Sequence, residues 1–228
     1  MNDEHIYKLI KLLIKLFGIV PKSVLDFVSD AIGIIWYKVD ARHRKVVIDN
    51  IQSAYPKKYS DSQARSFTKK NFKHIAGILF ELIWSYSKKK EELKKFFTIK
   101  GLEHFKAGKD KGQGVILLTC HMGNFELMVP AFSKVDDHAY ILYRQLDFKP
   151  LDRIVSELRQ RFGFTVIPIR KASKKVTKIL RNGGNVGTLL DQNVDWYKGV
   201  FVDYFGRPAC TNNGLAKLVM NTKAAVVP

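Results

Sequence analysis

A histidine and a carboxylate lie five residues apart near the middle of the chain, in the segment GVILLTCHMGNFELM that covers residues 114–128. The histidine is His121 and the acid is Glu126. A carboxylate that holds one ring nitrogen of a histidine leaves the other nitrogen as a general base, and it stabilises the imidazolium that forms on protonation. The pair therefore predicts proton-transfer chemistry at this point of the chain.

The elements around this pair decide whether the two side chains can meet. Residues 115–120 are apolar and nearly uncharged, which favours a strand buried on both faces, and a helix is predicted to begin at Phe125. On one continuous helix the two side chains would point about 140° apart. They can meet only if His121 precedes the helix and Gly123 bends the chain. Ligands of open α/β sheets bind beyond the carboxyl ends of strands, where His121 is expected.

The spacing by itself leaves other interpretations open. Glu126 could complement the positive end of a helix, and His121 could be an ordinary hydrogen-bonded residue at a strand end. Cys120, directly before the histidine, could act as a nucleophile or could be a small buried hydrophobic residue.

Charge is the most unusual property of the composition. The chain has 228 residues, of which 39 are Lys or Arg and 21 are Asp or Glu, for a net charge of +18. This charge favours an anionic partner such as a membrane, a phosphorylated substrate, an acidic protein or nucleic acid. Nucleic-acid binding predicts aromatic residues among the basic runs. Residues 88–95 and 170–181 contain none, so no nucleic acid is expected. The second run is instead a candidate docking surface for an acidic partner or lipid phosphates.

Metal chemistry is not expected either, because the two cysteines and six histidines form no cluster with ligand spacing.

The first 40 residues predict a membrane-associated helical segment. Lys8, Lys11 and Lys15 fall in one narrow stripe of an otherwise apolar helix, which is typical of a helix lying in the membrane interface. A second apolar segment, residues 24–36, could complete a helical hairpin; alternatively, both segments are core helices. No run is long enough for a clean membrane span, and no cleaved leader is expected. We therefore predict a membrane-associated segment over 1–40 and one domain over 41–228.

Hydrophobic periodicity predicts an α/β fold for the rest of the chain, with a mixed, largely parallel sheet covered by helices. Arg144 follows a predicted strand and is well placed to bind phosphate or carboxylate. Pairing with Asp147 or Asp152 is the alternative. The predicted strands cover 115–120, 139–143, 163–169 and 186–190, and the predicted helices cover 42–54, 63–86, 151–161, 170–181 and 214–220.

The segment HMGNFE resembles the H-x-x-x-x-[DE] box of membrane-associated acyltransferases, in the form found in the bacterial lipid A late acyltransferase family of lauroyl and myristoyl transferases. Further segments are similar to that family from about residue 40 to the end, in the family's order. They are R-x-x-V-x-x-N-I-x-x-A-Y-P, LLDQN, GVFVDYFGRPA, GLAKL and AAVVP.

The resemblance implies that His121 and Glu126 form a catalytic dyad that deprotonates an acceptor hydroxyl for direct attack on an acyl thioester. The donor would be an acyl carrier protein or coenzyme A thioester, with no other cofactor, and the acceptor an anionic lipid A precursor. The residues that the resemblance assigns to substrate binding are Gly123, Asn124, Arg144, Asp191, Phe205, Arg207 and Thr211.

The resemblance also implies a location at the cytoplasmic face of the bacterial inner membrane, peripheral or anchored by the N-terminus. Two other functions stay open: acylation of another lipid, of the lysophospholipid or phosphatidylinositol mannoside type, and a non-catalytic, basic membrane-binding protein. Family members usually continue past the V-P that ends this sequence, so we expect a truncated chain or a short variant.

Overall fold

The computed structural model describes residues 2–136 and 138–228, which form two compact units. The sheet unit comprises 2–12, 88–136, 138–202 and 209–228, and the helical unit comprises 13–87 and 203–208. The predicted division at residue 40 concerns membrane association, and it stays a prediction.

The sheet unit contains a five-stranded sheet in which every described pairing is parallel, so the predicted α/β class is confirmed. The order is β3-β2-β4-β1-β7. The strands are β1 (Val115–Thr119), β2 (Tyr140–Tyr143), β3 (Thr165–Pro168), β4 (Asn185–Leu189) and β7 (Ala225–Val227). The sequence did not predict β7, which pairs with β1 at one edge.

Helices cover both faces of this sheet. One face carries Ile116 and Val186, which pack with Val176 and Leu180 of a covering helix in a buried aliphatic cluster. The other face carries Val115, Leu117 and Val227, because side chains alternate along a strand. The helices of the unit are α5 (Lys90–Lys94), α6 (Leu102–Lys109), α7 (Met128–Phe132), α8 (Lys149–Arg161), α9 (Ser173–Arg181) and α10 (Gly214–Thr222).

A β-hairpin joins β4 to α10, formed by β5 (Gly199–Tyr204) and β6 (Arg207–Asn212). Its two turn residues, Phe205 and Gly206, have φ angles of 54° and 73°. Two consecutive positive φ angles characterise the tight turn whose twist suits a hairpin. The predicted strands of the sequence did not include these two.

The helical unit contains α2 (Lys22–Val39), α3 (Ala41–Ala54) and α4 (Asp61–Ser87). A reciprocal pair of hydrogen bonds between Ser60 and Gln63 caps the start of α4. The Gln63 backbone N–H donates to Ser60 Oγ at 3.3 Å, and the Ser60 backbone N–H donates to Gln63 Oε1 at 2.9 Å. Such a reciprocal pair satisfies two backbone donors at the helix start.

Helix α1 (Asp3–Ile19) exposes an apolar face to solvent. Its buried side holds Tyr7 and Ile14, and between them Lys11 donates to Glu157 of α8 at 2.9 Å. Two lysines of the predicted basic stripe are therefore ion-paired within the sheet unit, since Lys8 Nζ also lies 3.7 Å from Glu4 Oε1. Within the described part of the chain, no helix is both long enough and apolar enough to cross a bilayer. The exposed apolar residues of α1 are Leu9, Leu12, Leu13, Leu16, Phe17 and Ile19.

The contact between α2 and α4 depends on a glycine. A Cβ atom placed on Gly33 would lie 2.5 Å from the backbone Cα of Lys73, so the two helices approach too closely for any larger residue. Gly77, in α4, has open space around its Cβ position. The two glycines make a matched pair, since both lie inside helices but only one is needed for packing.

We therefore predict opposite effects for alanine at these two positions. Gly33→Ala should lower the free energy of unfolding by about 1–3 kcal/mol, because it forces the helices apart. Gly77→Ala should raise it by up to about 1 kcal/mol through helix propensity. Urea denaturation of both variants measures this, and equal shifts of the same sign would refute the close-packing argument.

Candidate active site

The parallel pairing of β1 with β4 brings two polar residues together at the carboxyl edge of the sheet. Thr119 is in register with Leu189, so His121 and Asp191 each come two residues after this last pair. The chain bends after His121 at Gly123, which has a φ of 60°. The predicted position of His121, after the strand and before the helical turn, is confirmed.

Asp191 is the hydrogen-bonding partner of His121. Its Oδ1 lies 2.8 Å from His121 Nδ1, and its Oδ2 accepts the backbone N–H of His121, also at 2.8 Å. Burial is the largest single influence on the pKa of Asp191 and raises it. The hydrogen bonds from the His121 backbone and ring together outweigh burial, so the pKa of Asp191 lies below its ordinary value. An ionised Asp191 holds the proton on Nδ1 and leaves Nε2 as the basic nitrogen.

No described residue hydrogen-bonds His121 Nε2, and the histidine is solvent-exposed. This nitrogen is thus free to accept a proton from a substrate. The Cys120 thiol, half-buried, has no described hydrogen bond to the histidine ring.

Glu126 is held by a different residue, Arg159 of α8. Both carboxylate oxygens accept from Arg159 Nη2, at 3.0 and 3.1 Å, and both side chains are largely buried. The predicted contact between Glu126 and His121 is absent from the described hydrogen bonds and ion pairs. Spacing along the chain suggested that contact, but a side chain 33 residues further on takes the carboxylate instead. The catalytic role of Glu126 stays a prediction.

The sequence analysis did not predict a role for Arg159, although the position of this residue on α8 indicated that its charge needs a partner. Arg159 lies four residues after Val155 and directly after Leu158, which are both buried. A helical projection would have placed this arginine beside the apolar stripe of α8, where an unpaired charge is costly.

The other predicted substrate-binding residues of the sheet unit lie near the same edge. Arg144 follows β2, is exposed and forms no ion pair with any described residue. Since Ile141 is in register with Gly187, Arg144 comes level with Leu190, directly before Asp191. Asn124 directly precedes the short 3₁₀ turn Phe125–Leu127, and Thr211 of β6 bridges to Asn193, two residues after Asp191.

Phe205 and Arg207 belong to the helical unit. The Phe205 ring contacts Tyr55, with 5.7 Å between ring centroids. Arg207 is exposed and lines a shallow polar depression together with Lys45 and Asp49.

An apolar cavity of about 270 Å³ lies within the sheet unit, on the sheet face that α6 and α7 cover. The Phe125 ring lines this cavity and also contacts the His121 ring edge-on, with 4.7 Å between centroids. Gly187, in the central strand β4, contributes to the wall without a side chain. Other lining residues are Phe105, Leu117, Met128, Phe132 and Val227.

A histidine held by an ionised carboxylate is a candidate general base, and the apolar cavity next to it suits an enzyme that acts on an apolar chain. The comparison with known proteins agrees: residues 4–228 match the model of the family "Bacterial lipid A biosynthesis acyltransferase". The chain belongs to this family and is an acyltransferase.

The sequence identity to individual relatives is low. The chain is 27% identical over 224 residues to the lipid A biosynthesis acyltransferase of Haemophilus influenzae, covering 93% of this chain and 67% of the relative. It is 28% identical over 135 residues to the phosphatidylinositol mannoside acyltransferase of Mycobacterium tuberculosis, covering 58% of this chain and 42% of the relative. The family resemblance predicted from the sequence is confirmed.

Proposed function

We propose that this protein transfers a fatty acyl chain from a thioester to a hydroxyl group of a lipid A precursor, with His121 as the general base. The observation that carries the proposal is the bond between His121 and Asp191 beside the cavity lined by Phe125. The Phe125 ring therefore contacts the general base and also lines the cavity proposed to hold the acyl chain. The thioester donor is an acyl carrier protein or coenzyme A.

The proposed reaction begins when His121 Nε2 takes the proton of the acceptor hydroxyl. The hydroxyl oxygen attacks the thioester carbonyl carbon and a tetrahedral oxyanion forms. The carbon–sulfur bond then breaks, and the thiolate leaves with the proton from the imidazolium. Asp191 stabilises the imidazolium between these two steps, since its carboxylate is already bonded to Nδ1.

Two further groups support the reaction. Gly123 is an exposed residue and its backbone N–H donates to no described residue, so this N–H can stabilise the oxyanion. Arg144, exposed at the same sheet edge, suits a phosphate of the acceptor. In this proposal Glu126 positions Arg159 and does not assist the histidine directly, because its carboxylate is bonded to that guanidinium rather than to His121.

The acceptor could instead be a phosphatidylinositol mannoside, and the similarity to the mycobacterial enzyme over 135 residues favours this second candidate. Both acceptors are phosphorylated, hydroxyl-bearing glycolipids, so the site chemistry is shared. Parallel assays with the two acceptors separate them.

Kinetic coupling tests which carboxylate serves the histidine. His121→Ala should lower kcat by about 10²- to 10⁴-fold, the usual contribution of a general base. Asp191→Asn should also lower kcat, but it should add little to the loss when His121 is already Ala, because residues that act as a unit are not additive.

The same double-mutant cycle applied to Glu126→Gln should show weaker coupling to His121→Ala. Asp195→Asn is the control, since Asp195 is an exposed acid that bonds Lys198. Strong coupling of Glu126 to His121, with no coupling of Asp191 to His121, would refute the proposed His121–Asp191 pair in favour of the His121–Glu126 dyad predicted from the sequence.

Filling the cavity should change the preferred acyl chain. Gly187 tolerates a Cβ atom, whose nearest neighbour would be 3.8 Å away, and a leucine side chain would extend into the cavity. Gly187→Leu should lower kcat/KM for long saturated donors by at least about tenfold. It should spare short donors, and Gly187→Ala should change little. Equal losses for short and long chains would show that this cavity does not hold the acyl group.

We also propose that the apolar face of α1 binds the membrane surface, because isolated soluble proteins rarely expose so many neighbouring aliphatic side chains. Membrane binding at the cytoplasmic face of the inner membrane would bring the enzyme to its lipid acceptor.

Leu12→Gln combined with Leu16→Gln should reduce the fraction that sediments with anionic vesicles by at least about tenfold in partition coefficient, because two leucines lose their apolar contact. Ile169→Gln combined with Met220→Gln, which changes two exposed residues elsewhere, is the control. Unchanged sedimentation of the α1 variant would show that the apolar face of α1 does not bind the membrane.

A further inference from the structure

A dense positive surface lies on helix α9 and the residues just before it. Six basic residues fall within 170–181, all six are exposed, and none forms an ion pair with a carboxylate of the described residues. No Asp or Glu occurs anywhere in 164–190 or 204–228. We call this surface the basic face; it consists of Arg170, Lys171, Lys174, Lys175, Lys178 and Arg181.

The fold gathers these charges onto one side of the helix. Lys174, Lys178 and Arg181 are spaced by four and three residues and therefore share one stripe. The opposite side carries Val176 and Leu180, which are buried in the aliphatic cluster under the sheet. Like charges at this spacing repel each other. A partner that supplies carboxylates would offset this repulsion.

Helix α10 extends the same positive surface. It packs against α9 through Leu215, Leu218 and Val219, and Arg181 donates to the backbone oxygen of Asn221 at 3.3 Å. Lys217 and Lys223 add two more exposed cations.

The chemistry of α9 favours an acidic protein over a lipid bilayer. A helix that binds the membrane interface needs an exposed apolar face, but the apolar residues of α9 are directed into the core. The exposed side of α9 offers cations and no large apolar side chain, which suits a soluble partner with a negative surface. Helix α1, by contrast, exposes its leucines.

The basic face begins at the edge of the sheet that carries the candidate active site. Arg170 and Lys171 lie between the end of β3 and the start of α9. All five strands are parallel, so this is the same sheet edge at which His121 and Asp191 meet. A protein bound near the start of α9 would present a flexible thioester arm at the edge where the reaction is proposed.

We propose that the basic face is the docking surface for an acidic carrier protein that delivers the acyl chain as a thioester. This inference rests on the proposed function for the identity of the delivered group, and what it adds is the place on this chain at which the carrier protein binds. Docking depends on charge complementarity, which raises association rates and weakens as salt is added.

Charge reversal tests the docking surface. Lys174→Glu combined with Lys178→Glu should raise KM for an acyl chain carried by purified acyl carrier protein by at least about tenfold. The values of kcat, and of KM for the same chain on coenzyme A, should stay unchanged, because neither residue belongs to the site. Lys69→Glu combined with Lys106→Glu is the matched control: both lysines are exposed, on α4 and on α6, and the net charge changes equally.

Direct binding separates this proposal from the proposed function. Fluorescence anisotropy of labelled acyl carrier protein measures affinity without turnover. It should show binding that weakens with salt for the wild type and the control, and at least about tenfold weaker binding for the α9 variant. If the wild-type enzyme transferred no acyl group, the proposed function would fail while the binding result still decided the docking surface.

Three outcomes would overturn the proposal: no binding of the carrier protein by the wild type, equal binding by both variants, or an equal KM increase with the coenzyme A donor. A loss of sedimentation with anionic vesicles in the α9 variant, at unchanged affinity for the carrier protein, would assign the basic face to lipid phosphates instead.

Discussion

The parallel pairing of β1 with β4 is the constraint on which the site depends. Because Thr119 is in register with Leu189, the residues two positions further on leave the sheet side by side. A slip of this register by one residue would turn Asp191 away from His121, since side chains alternate along a strand. The buried aliphatic cluster around Ile116 and Val186 makes such a slip costly. The geometry of the base is therefore determined by the packing of the sheet beneath it.

The two carboxylates near this edge have different surroundings, and these suggest different roles. Asp191 lies beside an exposed histidine, and its hydrogen bonds keep its pKa low, so it remains an acceptor through a proton transfer. Glu126 lies in a largely buried ion pair with Arg159 of α8. Such a pair loses much of its stability if either partner is removed. Glu126 therefore ties the turn after β1 to α8, while Asp191 serves the histidine in the proposed mechanism.

The chain separates its apolar and its charged surfaces between helices. Helix α1 exposes leucines, and it uses Lys11 for an ion pair with Glu157. Helix α9 buries Val176 and Leu180, and its exposed side carries cations and no large apolar side chain. The proposed transfer from a water-soluble donor to a membrane lipid would use both kinds of surface, because the two proposed substrates reside in different phases. The net charge of +18 thus has a distribution that fits two different partners of the proposed reaction.

The sequence by itself determined the α/β class, the position of His121 before a bend and the family, because these depend on local periodicity and on short ordered motifs. The carboxylate bonded to His121 was decided only by the tertiary structure. Asp191 is 70 residues away in the chain and becomes its neighbour through strand order, which no local pattern encodes. The same holds for Arg159, which reaches Glu126 from a helix 33 residues further on. Strand pairing and helix packing join distant residues, so the contacts within the site follow from the fold rather than from spacing along the chain.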